Sequence, residues 1–436
     1  MMTRQDCEVR DQEDPLFELR HQFDLPPGIN YLDGNSLGVL PRATAARVQE
    51  VIAREWGMDL IKSWNTAGWI DLPRKVGNKI ARLVGAGPDE LVTADSTSVN
   101  LYKVLHAAVQ ISKADAPQRR LIVSERSNFP TDLYIAESVA RQHGFTLKLV
   151  DTVDEIPAAL NAELACLMLT EVNYRTGYRH DMKALTAATH AAGALVIWDL
   201  AHSAGALPVD LKGADADFAV GCGYKYLNGG PGAPAFVWAH PRHAEREMGN
   251  FGQPLSGWMG HAAPFQFTPD YRPAAGITRY QCGTPAILAL SALECGVDTL
   301  LAAEPMGGMD ALRKKSVALT EAFIGLAEGR CGAQGVRLSS PRDANQRGSQ
   351  VCLSLAAPLH EAGYAVVKAL IARGVIGDYR AGDPQRLDEF PHILRFGFTP
   401  LYTRFVDVWD AIEHLHQVLQ TEEWREPRFN QQDAVT

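Results

Sequence analysis

The chain has 436 residues, of which 46% are hydrophobic and 21% charged, and its formal net charge is -9. This length predicts two domains, and the composition is that of a soluble globular protein. The negative charge argues against nucleic-acid binding and against a general attraction to anionic membranes. The charged N-terminus lacks the apolar stretch of a secretory signal, and no apolar run reaches the ~18 residues of a membrane span.

The seven cysteines are scattered, and no pair has the CxxC spacing of zinc or redox sites. Unclustered cysteines in odd number predict reduced thiols in a cytoplasmic protein without a metal site. Cys166, Cys222 and Cys352 lie in apolar runs, where a thiol packs as a small hydrophobe.

In chain order, the segment 1–43 is too short to fold alone, and we expect it to pack on both domains. From Leu121 to Trp238, short apolar strands alternate with helical patterns. This alternation predicts a mainly parallel sheet covered by helices, in a large α/β domain over residues 44–290. The predicted strands are Leu121–Ser124, Thr146–Val150, Ala165–Thr170 and Ala194–Trp198, and the helices are Thr131–Gln142 and Met182–Ala192.

After Pro285 long helices and short strands predict a smaller α+β domain over residues 291–436. The helices predicted after Pro285 are Ile287–Leu301, Met309–Ala327, Ala362–Ala372 and Phe405–Leu419, and the strands are Gly335–Leu338, Gln350–Leu355 and His392–Phe396. The polar residues from Glu422 onward predict a frayed tail.

Lys225 lies between Tyr224 and Tyr226, after an apolar run and directly before a glycine-rich turn. Taken alone, it is most simply a surface lysine in a loop, since most lysines are exposed. A desolvated lysine, by contrast, is a nucleophile toward aldehydes, which is what a Schiff base with pyridoxal phosphate requires. The choice depends on whether the rest of such a site is present.

Asp199 directly follows a predicted strand, and ligands of parallel sheets bind at the carboxyl ends of strands. A carboxylate there can keep a pyridine nitrogen protonated, although a turn or capping aspartate fits the same position. His202, three residues later, can reach the same pocket. A lone histidine is more often structural, but Asp-x-x-His ahead of Lys225 favours the cofactor site.

Two further segments offer contacts for a flat, phosphorylated cofactor. Asp95-Ser-Thr-Ser-Val-Asn100 supplies hydroxyls and backbone N–H groups ahead of the helical run Leu101–Val109, as a simple capping cluster also would. Phe129 can stack on a ring and Asp132 can hydrogen-bond it; alternatively, Phe129 is core and Asp132 caps a helix.

Arg395 is a charge in an apolar, strand-like segment. A buried arginine needs a bidentate carboxylate. That partner is either an internal Asp or Glu, or the α-carboxylate of an amino-acid ligand.

Together these residues resemble the fold type I, class V branch of the aspartate-aminotransferase superfamily, and more closely the kynureninase family. The resemblance covers about residues 30 to 415. It rests on Tyr31-Leu-Asp-Gly-Asn-Ser-Leu-Gly38, Thr97-Ser-Val-Asn-Leu101, Asn128-Phe-Pro-Thr-Asp132, Trp198-Asp-Leu-Ala-His-Ser-Ala-Gly205, Gly223-Tyr-Lys-Tyr-Leu-Asn228, Gly257-Trp-Met-Gly-His261, Gly283-Thr-Pro285 and Arg395-Phe-Gly-Phe-Thr-Pro-Leu-Tyr402.

The resemblance implies hydrolysis of the Cβ–Cγ bond of L-kynurenine, and of its 3-hydroxy form, to anthranilate or 3-hydroxyanthranilate and L-alanine. It also implies a cytoplasmic homodimer with the active site at the subunit interface, acting in tryptophan degradation or NAD biosynthesis. The implied catalytic residues are Lys225, as the Schiff-base lysine, and Tyr224, as general acid/base. The implied cofactor ligands are Thr97, Ser98, Phe129, Asp132, Asp199, His202, Tyr224, Trp258 and Thr284, with Trp258 and Thr284 from the other subunit. The implied substrate ligands are Arg395, Asn35, Ser36, Trp64 and His261.

The chain departs from the family pattern in places. Some relatives have Asn at the position of Thr284, Ser at that of Gly283, or His near Met58. Since Met58 offers no hydrogen bond to a ring hydroxyl, it favours unmodified kynurenine as substrate.

Two alternatives remain open on the same fold. One is another class V reaction, such as transamination or cysteine desulfuration. A desulfurase needs a mobile loop cysteine, and Cys331 in Gly329–Gly335 is the candidate. The other is a non-catalytic module that binds a ligand or partner, against which the combined lysine, aspartate and arginine argue.

Overall fold

The computed structural model describes residues 2–246 and 252–431. The chain forms two compact units. Unit 1 comprises Met1–Arg42, Tyr174–Arg179 and Thr299–Thr436, and unit 2 comprises Ala43–Asn173 and His180–Asp298. None of the helices in the described ranges is long and apolar enough to cross a membrane.

The strands are β1 Asn30–Tyr31, β2 Leu91–Thr93, β3 Leu121–Glu125, β4 Thr146–Val150, β5 Leu164–Thr170, β6 Leu195–Asp199, β7 Phe218–Gly221, β8 Phe236–Ala239, β9 Val336–Leu338, β10 Gln350–Leu355, β11 Val375–Ile376, β12 Asp378–Arg380 and β13 Ile393–Gly397. The α-helices are α1 Arg4–Gln12, α2 Arg42–Glu50, α3 Ser63–Thr66, α4 Leu72–Leu83, α5 Thr97–Asp115, α6 Pro130–His143, α7 Ile156–Ala159, α8 Met182–Ala191, α9 Pro241–Ala244, α10 Ile287–Leu301, α11 Gly308–Cys331, α12 Gly363–Ala372 and α13 Phe405–Gln420.

Unit 2 contains a seven-stranded sheet in the order β2-β8-β7-β6-β5-β3-β4. The strands from β7 to β4 run parallel, and β8 is antiparallel to both of its neighbours. All seven residues of β5 are buried, as expected for a strand covered on both faces. Apolar residues of α5 and α6 pack on this sheet in one core cluster. The predicted α/β class with a mainly parallel sheet is confirmed.

Unit 1 contains a four-stranded antiparallel sheet in the order β12-β13-β10-β9 and the short parallel pair β1-β11. A second core cluster joins this sheet to the apolar faces of α11, α12 and α13. This arrangement agrees with the α+β pattern expected for the C-terminal part of the chain.

The elements predicted from the sequence occur, with ends shifted by a few residues. The largest extension concerns α5, which runs from Thr97 to Asp115. It begins before the predicted Leu101 because Ser96 is its N-cap. The prediction of a frayed tail is wrong for 422–431, where the chain forms 3-10 turns at Glu423–Arg425 and Pro427–Phe429. Phe429 holds this segment in the core of unit 1. The rest of the predicted tail, 432–436, lies outside the described residues.

Candidate active site

Lys225 lies in the turn that follows β7 and is half-buried. Its Nζ is 3.0 Å from His202 Nε2, 5.9 Å from the ring centre of Phe129 and 5.7 Å from that of Tyr224. The turn needs glycine, because a Cβ on Gly223 would stand 2.3 Å from the carbonyl oxygen of Pro234. The residues predicted to surround the lysine are therefore brought together in unit 2.

Asp199 is the last residue of β6, and Asp132 lies in the first turn of α6. Both carboxyl groups are buried. Asp199 Oδ1 accepts a hydrogen bond from the backbone N–H of Ala201 at 2.9 Å. Asp132 does not cap α6, whose N-cap is Phe129. The alternative of a capping Asp132 is thus ruled out.

Burial raises the pKa of Asp199, and the positive charge of Lys225 opposes that shift only in part. Burial and the neighbouring charge of Asp199 together raise the pKa of Asp132 well above its usual range. Among the described residues, Oδ2 of Asp132 is buried without a hydrogen-bond partner. Two buried carboxyl groups with one neighbouring lysine have too few cationic partners. A further cation or N–H donor would therefore stabilise them.

The residues present therefore fit pyridoxal phosphate. A protonated pyridine nitrogen beside Asp199 would supply positive charge to its buried carboxyl group, and Asp132 Oδ2 could bind a polar ring substituent. Phe129 is 42% exposed, and an aromatic ring at this position could stack on a flat cofactor.

A cavity of about 500 Å³ in unit 2 extends past Tyr224 and the start of α5. Ser96 is the N-cap of this helix and accepts a hydrogen bond from Val99 N. Because Ser96 and Thr97 line the cavity, the positive end of the helix dipole lies at the cavity wall. The lining residues are Thr93, Ala94, Asp95, Ser96, Thr97, Cys222, Tyr224, Gly232, Ala233, Pro234, Ala235, Gln281, Cys282, Gly283, Thr284, Pro285, Ala286 and Leu290. Of the predicted phosphate ligands, Thr97, Tyr224 and Thr284 line this cavity. Their assignment as phosphate ligands stays a prediction, as do the assignment of Ser98 and the contribution of a partner subunit.

Arg395 lies on β13 directly opposite Asp378 of β12 in the antiparallel register. Its Nε donates to Asp378 Oδ1 at 2.9 Å, and its Nη2 donates to Asp378 Oδ2 at 2.5 Å and to Ser36 Oγ at 2.8 Å. Nη1 donates to the carbonyl oxygen of Tyr174 at 3.0 Å. The internal carboxylate considered for Arg395 is thus Asp378, and four hydrogen bonds occupy a group that has five N–H donors.

Near Arg395, unit 1 contains further buried polar groups. Burial and the charge of Asp378 raise the pKa of Asp33 to about 7. The side chain of Asn35 is fully buried, and in the described structure neither its Oδ1 nor its Nδ2 has a hydrogen-bond partner. Ser36 therefore contacts Arg395 directly, whereas the preceding residue, Asn35, has buried polar atoms that could bind a ligand.

Two predicted site residues, Trp64 and Trp258, form edge-on ring contacts in unit 2, and Phe265 extends them. The ring centres of Trp64 and Trp258 are 5.7 Å apart, and those of Trp258 and Phe265 are 5.9 Å apart. His261 is buried, with Nδ1 accepting from Ala263 N at 2.8 Å and Nε2 3.2 Å from the carbonyl oxygen of Asp270. These bonds give His261 a structural role, and its contact with substrate stays a prediction.

Cys331, considered as a mobile loop nucleophile, is not in a loop. It is the last residue of α11, is fully buried, and has a pKa that burial raises to about 12. A buried thiol with a raised pKa is a poor nucleophile. The desulfurase alternative therefore loses its candidate residue.

Sequence reasoning missed three residues of these clusters. Thr170 ends β5 beside Asp199 in the parallel register and lowers the Asp199 pKa by a hydrogen bond that partly offsets burial. Asp378 pairs with Arg395, and Lys103 is buried under the start of α5. A charged residue in an apolar pattern marks each of the last two, but their partners depend on strand register and on segments far apart in the chain.

Residues 312–415 match the family model described as "Kynureninase C-terminal domain". The chain is 55% identical over 438 residues to a kynureninase of Burkholderia mallei, 54% to one of Burkholderia pseudomallei and 52% to one of Pseudomonas fluorescens. Each of these alignments covers 100% of both chains.

Among solved structures, the chain is similar to the apo cysteine desulfurase of Thermococcus onnurineus, with a TM-score of 0.75 and 18% identity over 93% of this chain and 98% of the other. It is also similar to a C-DES mutant with glycine covalently linked to its PLP cofactor, with a TM-score of 0.73 and 18% identity over 92% and 98% of the two chains. Identities this low carry the fold and no particular reaction.

Proposed function

Because this chain belongs to the kynureninase family, we propose that Lys225 and the carboxyl groups beside it carry the catalysis of that family. The reaction is the pyridoxal-phosphate-dependent hydrolysis of the Cβ–Cγ bond of L-kynurenine, which with one water gives anthranilate and L-alanine. The observation that carries the assignment of residues is the pair of buried carboxyls, Asp199 and Asp132, next to a single half-buried lysine.

When bound, pyridoxal phosphate supplies an electron sink for the substrate's Cα. Lys225 would hold it covalently through Nζ and, once released, would remove the Cα proton as a base. Asp199 would keep the pyridine nitrogen protonated, since its buried carboxylate is stabilised by a cation. Phe129 would stack on the ring, and His202, 3.0 Å from Lys225 Nζ, would orient the lysine.

Tyr224 is the proposed general acid/base for water addition at the γ-carbonyl. Its ring lies 5.7 Å from Lys225 Nζ, and it lines the cavity proposed for the phosphate. A phenol beside a dianion can relay a proton to a neighbouring group. Thr97, Ser98, Trp258 and Thr284 complete the proposed phosphate ligands.

Arg395 is proposed to bind the α-carboxylate of the substrate through its remaining Nη1 N–H, with Ser36 and Asn35 as neighbouring ligands. Trp64 and His261 are proposed to border the aryl ring. If Arg395 has this role, replacing it with Lys raises KM far more than it lowers kcat, because the planar fork is lost while the charge remains.

We further propose that the chain acts as a homodimer that places its active site at the subunit interface. Unit 2 exposes large apolar side chains, and one of them, Phe265, contacts Trp258. We expect a second copy of the chain to cover this apolar surface. The most exposed apolar side chains of this part of unit 2 include Trp56, Met58, Leu60, Ile61, Phe265 and Phe267. The seven cysteines are free thiols, which supports a cytoplasmic location, and the pathway proposed is tryptophan degradation or NAD biosynthesis.

The assignment is tested with Lys225→Ala and with Lys183→Ala, an exposed lysine of α8, as the matched control. We expect Lys225→Ala to lose both the absorbance of the covalently held cofactor and the release of anthranilate, whereas Lys183→Ala keeps both. Retained turnover in Lys225→Ala would contradict the assignment. Parallel assays with kynurenine, 3-hydroxykynurenine and cysteine measure the substrate preference, and we expect kynurenine to have the highest kcat/KM and cysteine to release no sulfide.

A further inference from the structure

Lys103, in the second turn of α5, is fully buried. Its Nζ donates hydrogen bonds to Asp95 Oδ2 at 2.5 Å, to the carbonyl oxygen of Tyr280 at 2.6 Å and to Asn100 Oδ1 at 3.3 Å. Each of the three donors of an ammonium group thus has an acceptor. A lysine this deeply buried is rare unless it is paired, so its position needs an explanation.

The acceptors connect the lysine to two separate walls of the 500 Å³ cavity. Asp95 belongs to the wall formed by 93–97, which leads into α5. Tyr280 directly precedes the wall formed by 281–286, which carries Thr284. The side chain of Lys103 therefore joins two segments that are far apart in sequence, since Lys103 and Tyr280 are separated by 177 residues.

Asp95 creates an electrostatic problem that Lys103 solves. Asp95 is a lining residue of the cavity proposed for a phosphate dianion, and its backbone has the left-handed φ of 46°. An unpaired carboxylate there would repel the phosphate, and the left-handed conformation needs support from the surroundings. The ion pair with Lys103 neutralises the charge and fixes the carboxylate on the side of the helix.

We propose that Lys103 is a positioning residue for the phosphate end of the cofactor, which acts by neutralising Asp95 and by holding both walls of the cavity. This inference rests on the proposed function only in taking the cavity as the phosphate site. Lys103 itself is not proposed to contact the phosphate.

The test compares two probes on the full-length apoprotein: pyridoxal phosphate and pyridoxal, which lacks the phosphate. Their dissociation constants are measured by absorbance titration for the wild type and for Lys103→Met, Asp95→Asn and the double variant. Lys113→Met, the same change on the same helix, is the matched control. In Lys103→Met we expect pyridoxal phosphate to bind roughly ten- to a hundred-fold more weakly, while pyridoxal binding is unchanged.

The double variant should regain much of the preference for pyridoxal phosphate over pyridoxal. In it, Asp95→Asn removes the carboxylate that Lys103→Met leaves without a neutralising partner. Asp95→Asn alone should bind pyridoxal phosphate more tightly relative to pyridoxal, and it keeps the proposal testable if Lys103→Met does not fold. Equal weakening of both probes in Lys103→Met, no rescue in the double variant, or a lowered preference in Asp95→Asn would each overturn the proposal. Failure of the proposed function has a different signature, since the wild type would then show no covalent cofactor absorbance with either probe.

Discussion

Two buried aspartates of unit 2 differ sharply although they flank neighbouring strands. Asp199 ends β6, and Asp217 directly precedes β7, which is parallel to β6, so the two lie at opposite ends of these neighbouring strands. Both are almost fully inaccessible, at 4% and 1% exposure. Burial alone therefore does not distinguish them, and the difference comes from their partners.

Asp217 is surrounded by donors. His190 Nε2 lies 2.8 Å and His243 Nε2 2.7 Å from its carboxylate, Arg242 Nη2 donates at 2.6 Å, and Val196 N donates at 2.8 Å. Burial by itself would raise the pKa of Asp217, but the hydrogen bonds from His190, His243 and Arg242 outweigh it and lower the pKa. This carboxylate ties β6, α8 and α9 together and is complete without a ligand.

Asp199 has the opposite balance. Burial raises its pKa, and the nearest charges are one lysine and a second carboxyl group, Asp132. A buried carboxylate with too few cationic partners lowers the stability of the folded protein. A cationic ligand that binds beside it raises that stability. Buried carboxyl groups with too few cationic partners, and not burial as such, therefore distinguish the proposed cofactor site.

The largest effect expected is that of Asp199→Asn on turnover. Because an amide cannot compensate a protonated pyridine nitrogen, kcat with kynurenine should fall roughly 10²–10³-fold. The folded-state pKa of Asp199 is raised above its unfolded value, so at neutral pH the ionised group destabilises the fold and its removal should leave the Tm of the apoprotein equal or higher. A marked drop in apoprotein Tm would contradict the distinction between the two aspartates.

Asp217→Asn should reverse this pattern. Removing one partner of a buried charge network leaves the others unpaired, and we expect a loss of about 3 kcal/mol in the free energy of unfolding, measured by urea denaturation. At temperatures where the variant is folded, kcat should stay close to that of the wild type. Asp215→Asn, whose side chain is 60% exposed, is the control and should change stability by less than ~1 kcal/mol. A lower kcat in the folded Asp217→Asn variant would show that the residues before β7 also contribute to the reaction.

The smallest effect expected is the pH dependence of stability that results from the contact between His190 and Asp217. The hydrogen bond to Asp217 raises the pKa of His190 above its ordinary value of 6.5. The resulting stability is present in full below about pH 6.5 and is lost as the pH rises through the folded-state pKa. The Tm difference between wild type and His190→Gln should therefore shrink between about pH 6 and pH 9. A difference that stays constant over this range would mean that His190 contributes by packing alone.

Much of the site is encoded locally. The apolar run before Asp199 places this residue at a strand end, Pro130 opens the helix that carries Asp132, and the glycines around Lys225 form its turn. Such features depend on neighbours within a few residues, which is why the sequence pattern predicts them. The same patterns predicted strands β3 to β6 and the limits of α6 and α8, but not the outer strands β2 and β8.

The charge partners are not encoded locally. Asp378 opposite Arg395 follows from the antiparallel register of β12 and β13, and Lys103 acquires its role from Tyr280, 177 residues away. The pKa of Asp132 depends on Asp199, which belongs to another strand–helix unit. A sequence thus determines which groups bear charge and on which element they stand, whereas only the tertiary structure decides which charges are left uncompensated, because desolvation and Coulomb energies depend on distances between segments that the sequence does not order.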